Sequence, residues 1–192
     1  KGETEARWRL VEAAWKLGIE TRTLAGGVAL DAERNELAIQ SGNRRISLAG
    51  ARGAVGGYQK GVCFYCGLEI TEEGEVSARG EVDHFIPWSL GQPVFNRAVN
   101  LDGVWNLVVA CQDCNRGGGG KLANLPSLVM LDRLNSRNEF YIFSHHPLRE
   151  ALIAQTGALP NKRSSYLNKV WQAARDHGLS IWEPIQRAAQ PF

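Results

Sequence analysis

Cys63-Phe-Tyr-Cys66, Asp83-His84, Asn106 and Cys111-Gln-Asp-Cys114-Asn115, closing on Lys121, concentrate the chemistry of this chain in its middle third. Two Cys-x-x-Cys knuckles bracket an Asp-His pair, and an asparagine directly follows the last cysteine. A knuckle of this kind folds its backbone back on the first thiolate and brings two sulfurs within chelating distance. Two of them complete a four-sulfur set, which favours Zn2+ over hard ions. A single pair would also fit a redox dithiol. All 4 cysteines lie in these two pairs. The expectation is therefore a structural zinc on Cys63, Cys66, Cys111 and Cys114, in a reducing, cytoplasmic compartment. The 44 residues between Cys66 and Cys111 exceed the roughly 15–20 of a simple zinc ribbon. The metal thus closes a large loop with something substantial inside it, and serves as a staple rather than a reaction centre.

Within that loop, Glu81 to Pro87 reads as a short strand, since proline ends a ladder. Asn106 to Ala110 reads as a second strand, with a loop from Trp88 to Trp105 between them. Cys111 onward starts a short helix carrying Cys114, Asn115 and Arg116. Glycine weakens a helix by about 1 kcal/mol per position, so the run Gly117 to Gly120 should end that helix near Arg116. Strand, loop, strand and helix form a ββα element. In order and chemistry, the Asp-His, Asn-Leu, Cys-x-x-Cys-Asn and Lys positions resemble the HNH endonuclease family of the ββα-metal group. They are most similar to its four-cysteine, endonuclease VII-like members. Asn115 stands where many members carry a third histidine. The resemblance covers Gly61 to Leu125, about a third of the chain.

That resemblance implies hydrolysis of DNA phosphodiester bonds, double-stranded DNA in the first instance, leaving 5′-phosphate and 3′-hydroxyl ends. It implies that Asp83 and Asn115 hold a catalytic Mg2+ or Mn2+ ion through oxygen atoms. Such an ion keeps waters and open positions when few protein ligands bind it. His84 would be the general base, because imidazole takes a proton near neutral pH. Asn106 would brace the inter-strand loop. Arg116 and Lys121 are candidate counter-charges for a substrate phosphate, with the glycine run letting the backbone approach; a plain flexible loop is the other reading. The competing functional reading is a non-catalytic, zinc-ribbon-like module that binds nucleic acid or protein.

The flanks complete an α+β expectation of three parts forming one integrated unit: 1–58, 59–125 and 126–192. In the first, Trp8, Val11 and Trp15 share one face of a helix from Glu3 to Leu17. Period-two alternation then gives a hairpin around Ser41-Gly42-Asn43, with a third strand near Val28 to Leu30. In the last, helices are expected from Pro126 to Ser144, from Pro147 (as first helical residue) to Gly157, and from Asn161 to His177. Leu128, Leu131, Leu134 and Phe143 are apolar positions of the first of these. Arg133, Arg137 and Arg149 could line a DNA groove or sit on solvated helix faces. His145-His146 reads as cap and packing, against a reach to the active site. Trp88, Phe95 and Trp105 read as local packing rather than DNA contacts, with Arg97 beside them.

The net charge of +2 excludes a strongly basic coat for nucleic acid, so any footprint must come from local placement of Lys and Arg. An apolar fraction of 44% supports a core. No run approaches the roughly 20 apolar residues that span a bilayer, so no membrane is expected. Lys1 stands at the start instead of Met. A processed product, a start left by an expression tag or a piece of a longer protein is therefore expected. Its targeting part would be a helicase or a guide-dependent effector in a restriction or antiviral defence system.

Overall fold

The computed structural model describes residues 28–31, 36–41, 44–47, 58–70, 80–146 and 148–188. The architecture is α+β, with small sheets and a helical C-terminal part. The expected helix from Glu3 to Leu17 lies outside the described residues, as do Gly42, Asn43 and Leu48 of the expected hairpin. Three strands are described there by their backbone: β1 (Val28–Asp31), β2 (Glu36–Ser41) and β3 (Arg44–Ser47). They pair antiparallel in that order, with Leu30 opposite Leu37 and Ile39 opposite Ile46.

The element inside the cysteine loop is β4 (Gly80–His84) paired antiparallel with β5 (Leu107–Cys111). Asp83 lies opposite Val108 and His84 opposite Leu107. All of Leu-Val-Val-Ala-Cys in β5 is buried, the mark of a strand covered on both faces. Both strands are offset from expectation. β4 stops at His84, and Asn106 closes a 3-10 turn (Val104–Asn106) instead of opening β5. Asn106 leaves the ladder because its side chain is committed to the preceding loop, as shown below.

Helix α1 (Gln112–Arg116) follows β5 without a linker, with Cys111 as its N-cap residue. It ends at the glycine run, which proves to be a tight reversal rather than a slack loop. Gly117 N–H donates back to Gln112 and Asp113, Lys121 N–H to Cys114 O (2.7 Å) and Leu122 N–H to Asn115 O (3.0 Å). These bonds satisfy the last carbonyls of the helix. A Cβ at Gly117 or Gly120 would lie 2.6 or 2.5 Å from Asp113 O, whereas Gly118 and Gly119 face open space. Two of the four glycines are thus required by close approach.

The C-terminal part holds β6 (Leu125–Pro126), α2 (Leu128–Phe143), α3 (Arg149–Thr156), α4 (Pro160–Asp176) and β7 (Ile181–Trp182). β6 and β7 pair parallel, a contact too short to show any sequence period. Pro147 lies outside the described residues; α3 is described from Arg149, and Pro160 occupies the first turn of α4. In α2 the buried stripe is Met130, Leu131, Leu134, Arg137, Asn138, Tyr141 and Ile142, spaced for one helix face. Leu128 and Phe143, expected on the apolar side, are exposed at 52% and 69%.

Arg137 and Asn138 occupy the middle of that stripe because they meet backbone carbonyls. Arg137 is fully buried and donates to Leu107 O, Val104 O, Trp105 O and Asn138 Oδ1. Asn138 adds a bond to Trp105 O (3.2 Å). Burial draws the Arg137 guanidinium down to about 10, still cationic at neutral pH. Arg133 donates to Phe64 O (2.9 Å) and Tyr65 O (3.3 Å), inside the first knuckle, while Arg149 pairs with Glu150. Arg137, buried, and Arg133, half-buried, thus tie α2 to the ββα element, and Arg137 is on no solvated face. Arg137→Leu keeps the apolar bulk but strands those carbonyls. It is expected to cost about 3 kcal/mol in urea unfolding; an unchanged midpoint would show that they find other partners.

One buried cluster runs from Cys63, Phe64 and Tyr65 through Phe85, Trp105 and β5 to Leu134, Leu152 and Trp171. Tyr166 of α4 packs edge-on to Trp105 at 5.3 Å. His146 is buried, its Nδ1 accepting from Leu148 N–H (3.2 Å) and its ring 4.4 Å from that of Tyr141, a cap and packing role. The chain after β7 returns across the first knuckle. Gln186 Nε2 donates to Tyr65 O, and the N–H groups of Arg187 and Ala188 donate to Cys66 O. No helix among the described residues is long and apolar enough to cross a membrane.

Candidate functional site

The first knuckle sits in a tight loop. Cys63 N–H donates to Leu68 O (2.7 Å), Gly67 N–H to Cys63 O (3.1 Å), and Gly67 takes a φ of +79°. Only glycine adopts that conformation without strain. The second knuckle needs no loop of its own, because Cys111 ends β5 and Cys114 lies on α1. The register places Gly80 of β4 beside Cys111.

The four sulfurs are buried and lie within 4.8 Å of one another, and together they can hold a metal ion. Cys66 Sγ and Cys111 Sγ are 3.8 Å apart, and all four cysteines are free thiols. A tetrahedron with bonds of about 2.3 Å to sulfur has edges of about 3.8 Å, so the spacing fits a zinc-type four-sulfur site. The electrostatics point the same way. Bonding from Cys111 and Cys114 holds Cys66 toward thiolate, and bonding from Cys114 brings Cys111 down to about 7. Cys63 and Cys114 are pushed up, chiefly by Cys111. Four crowded sulfurs cannot all ionise unaided, and a divalent cation removes that repulsion.

β4 distributes the next residues between its two faces, because neighbours on a strand alternate. Glu81 and Asp83 share one face. Asp83 is buried, with Oδ2 accepting from the Tyr65 hydroxyl (2.7 Å) and Oδ1 3.2 Å from Lys121 Nζ. Burial holds its carboxyl above the usual range, although Lys121 and Tyr65 pull the other way. Burial, with the Asp83 charge beside it, also pushes the Tyr65 phenol well up. Lys121 is only 1% exposed, so it faces inward on Asp83 and is not offered to an external phosphate. Glu81 reaches α1: its Oε2 accepts from Asn115 Nδ2 (2.8 Å) and its Oε1 from Arg116 (2.5 Å). That bond takes the amino group of Asn115 and leaves the carbonyl oxygen as the atom suited to a hard cation. Arg116 remains exposed.

His84 leaves the opposite face, with Nε2 2.9 Å from Asp102 Oδ1. Asn106 is fully buried and makes three bonds. Its Oδ1 accepts from Ile86 N–H (2.7 Å), and its Nδ2 donates to Ile86 O (3.0 Å) and Leu101 O (2.8 Å). Asn106 thereby pins the segment after His84 to the loop that carries Asp102. Phe95 and Trp105 of that loop are buried, but Trp88 is 62% exposed, so local packing does not describe it.

The structure thus gathers Asp83, Lys121, Asn115 and Arg116 around one face of β4, through Tyr65 and Glu81. It sets His84 apart with Asp102. Three of these partners, Glu81, Tyr65 and Asp102, are not among the expected site residues. Glu81 had a usable signal, lying two residues before Asp83 and hence on its face. Tyr65 was visible only as a spacer between two cysteines. Asp102 lies 18 residues from His84 and carries no local signal. Comparison with family models, with curated proteins and with solved structures finds no match for this chain.

Proposed function

We propose that the chain is a divalent-metal-dependent HNH-type endonuclease that hydrolyses DNA phosphodiester bonds. What carries the reading is the braced Asp-His strand end. Asn106 spends its amide holding the backbone after His84 to the loop before it, beside a four-cysteine group that ties the first knuckle to β5 and α1. A binding surface has no need of a braced imidazole. His84 accepts the proton of a water aligned on the scissile phosphorus. Asp83 and Asn115 would hold a Mg2+ or Mn2+ ion by oxygen atoms. When bound, such an ion neutralises charge on the transferring phosphate and on the leaving 3′ oxygen. Arg116 is exposed beside its partner Glu81, which supports a role for it as counter-charge to a neighbouring phosphate.

Specificity is not expected from this element, since contacts to the phosphate backbone carry no sequence information. A target would be chosen by the flanks or by a linked helicase or guide-dependent part of a defence system. Two observations favour a second reading, a non-catalytic zinc-stapled module: both oxygens of Asp83 are already engaged, by Tyr65 and Lys121, and His84 leaves the face of β4 opposite Asp83.

The two readings part on a chelator titration with plasmid, single-stranded DNA and RNA as substrates. Mild EDTA is expected to stop cleavage before zinc is lost, because an ion with two protein ligands dissociates first. Activity and fold lost together would leave no room for a separate catalytic ion. DNA bound but never cut would support the module.

A further inference from the structure

We infer that Asp102 is a positioning residue for His84, fixing the ring and assigning its proton to Nε2, so that Nδ1 is the nitrogen that receives the proton from water. This rests on the nuclease reading above. An ionised carboxylate only accepts hydrogen bonds, so against ionised Asp102 the 2.9 Å contact assigns the hydrogen to Nε2. The other ring nitrogen of a neutral imidazole is then the base. Side-chain exposures of 15% for His84 and 28% for Asp102 keep most competing water away.

Both ends of the contact are held. His84 is in register with Leu107 on β5. Asp102 rides on a turn anchored at each side: its N–H donates to Asn100 Oδ1 (3.1 Å), and Leu101 O accepts from Asn106 Nδ2 (2.8 Å). Gly103 N–H closes the turn on Asn100 O (3.2 Å), where the Trp105 indole also donates (3.0 Å). A Cβ at Gly103 would come within 2.7 Å of the Trp105 ring, so the turn lies directly on a buried side chain. A carboxylate on so constrained a turn is placed to set a ring, not to search for a partner.

The test uses zinc-loaded protein carrying Asp102→Ala and, as the isosteric alternative should the alanine variant fail to fold, Asp102→Asn. In protein with 15N-labelled histidine, the Nε2–H proton of His84, assigned by its loss in His84→Gln, is expected downfield and protected from water exchange. It should vanish in Asp102→Ala and exchange faster in Asp102→Asn. Steady-state cleavage by Asp102→Ala should fall roughly 100-fold in kcat with KM unchanged, the cost of a misplaced base. An unchanged Nε2–H signal in the variants overturns the inference. So does a raised KM with full kcat, which would place Asp102 on the substrate. If the wild type cuts no nucleic acid, the nuclease reading fails, while the Nε2–H signal still reports whether Asp102 holds the ring.

Discussion

Cys111→Ser is expected to abolish metal binding and, with it, cooperative folding of the ββα element. Cys111 is at once the last residue of β5, the N-cap of α1 and a member of the sulfur group. A four-ligand zinc site contributes roughly 10–16 kcal/mol of apparent binding energy. That is as large as the whole stability of a typical domain, about 5–15 kcal/mol. Phe64, Tyr65 and the knuckle backbone are held in the same cluster as α2, so the loss should spread into the helical part. Metal analysis should give one zinc per wild-type chain and none in the variant. Thermal melting followed by circular dichroism should change from a sharp transition to a shallow slope. A variant that keeps its melting curve without zinc would show that the apolar core suffices and that the cysteines are not a staple.

His84→Ala should do the opposite, leaving the fold and removing the activity. The side chain stands at the end of β4 and makes one described hydrogen bond, to Asp102, so about 1 kcal/mol of stability is at stake. Loss of a general base lowers the rate by about 100- to 10,000-fold. Zinc content and melting curve should match the wild type, while DNA cleavage falls into that range. Full cleavage by the alanine variant would remove His84 from the chemistry.

Residues whose own chemistry carries the information could be read from the sequence. The Cys-x-x-Cys pairs announce a four-sulfur group whatever surrounds them, and the apolar run of β5 and the stop after Arg116 follow from local preferences. Buried charge could not be read. Arg137 and Lys121 count as polar in any pattern. They are buried only because Leu107, Val104 and Trp105 offer carbonyls to one, and Asp83 a carboxylate to the other. Those partners lie 30–33 residues away for Arg137. The glycine run was ambiguous for a related reason. Glycine signals freedom, but at Gly117 and Gly120 it marks a backbone pressed against Asp113. β6 and β7 are two residues each, too short for periodicity to register.

The inward-facing Lys121 bears on the metal site proposed at Asp83. A cationic group beside Asp83 Oδ1 offsets the charge of the buried carboxylate. A divalent ion would share Asp83 with that ammonium or displace it, while the Tyr65 hydroxyl stays on Oδ2. The same pair holds the start of the chain after α1 against β4, so one contact serves both shape and site.

The most direct measurement is a time course on supercoiled plasmid with Mg2+ or Mn2+, comparing wild type with His84→Ala at equal zinc content. Nicked and linear DNA from the wild type alone, with 5′-phosphate ends, is the predicted result. Intact plasmid with both proteins, zinc bound and DNA shifted on a gel, would contradict it and leave a binding module in place of a nuclease.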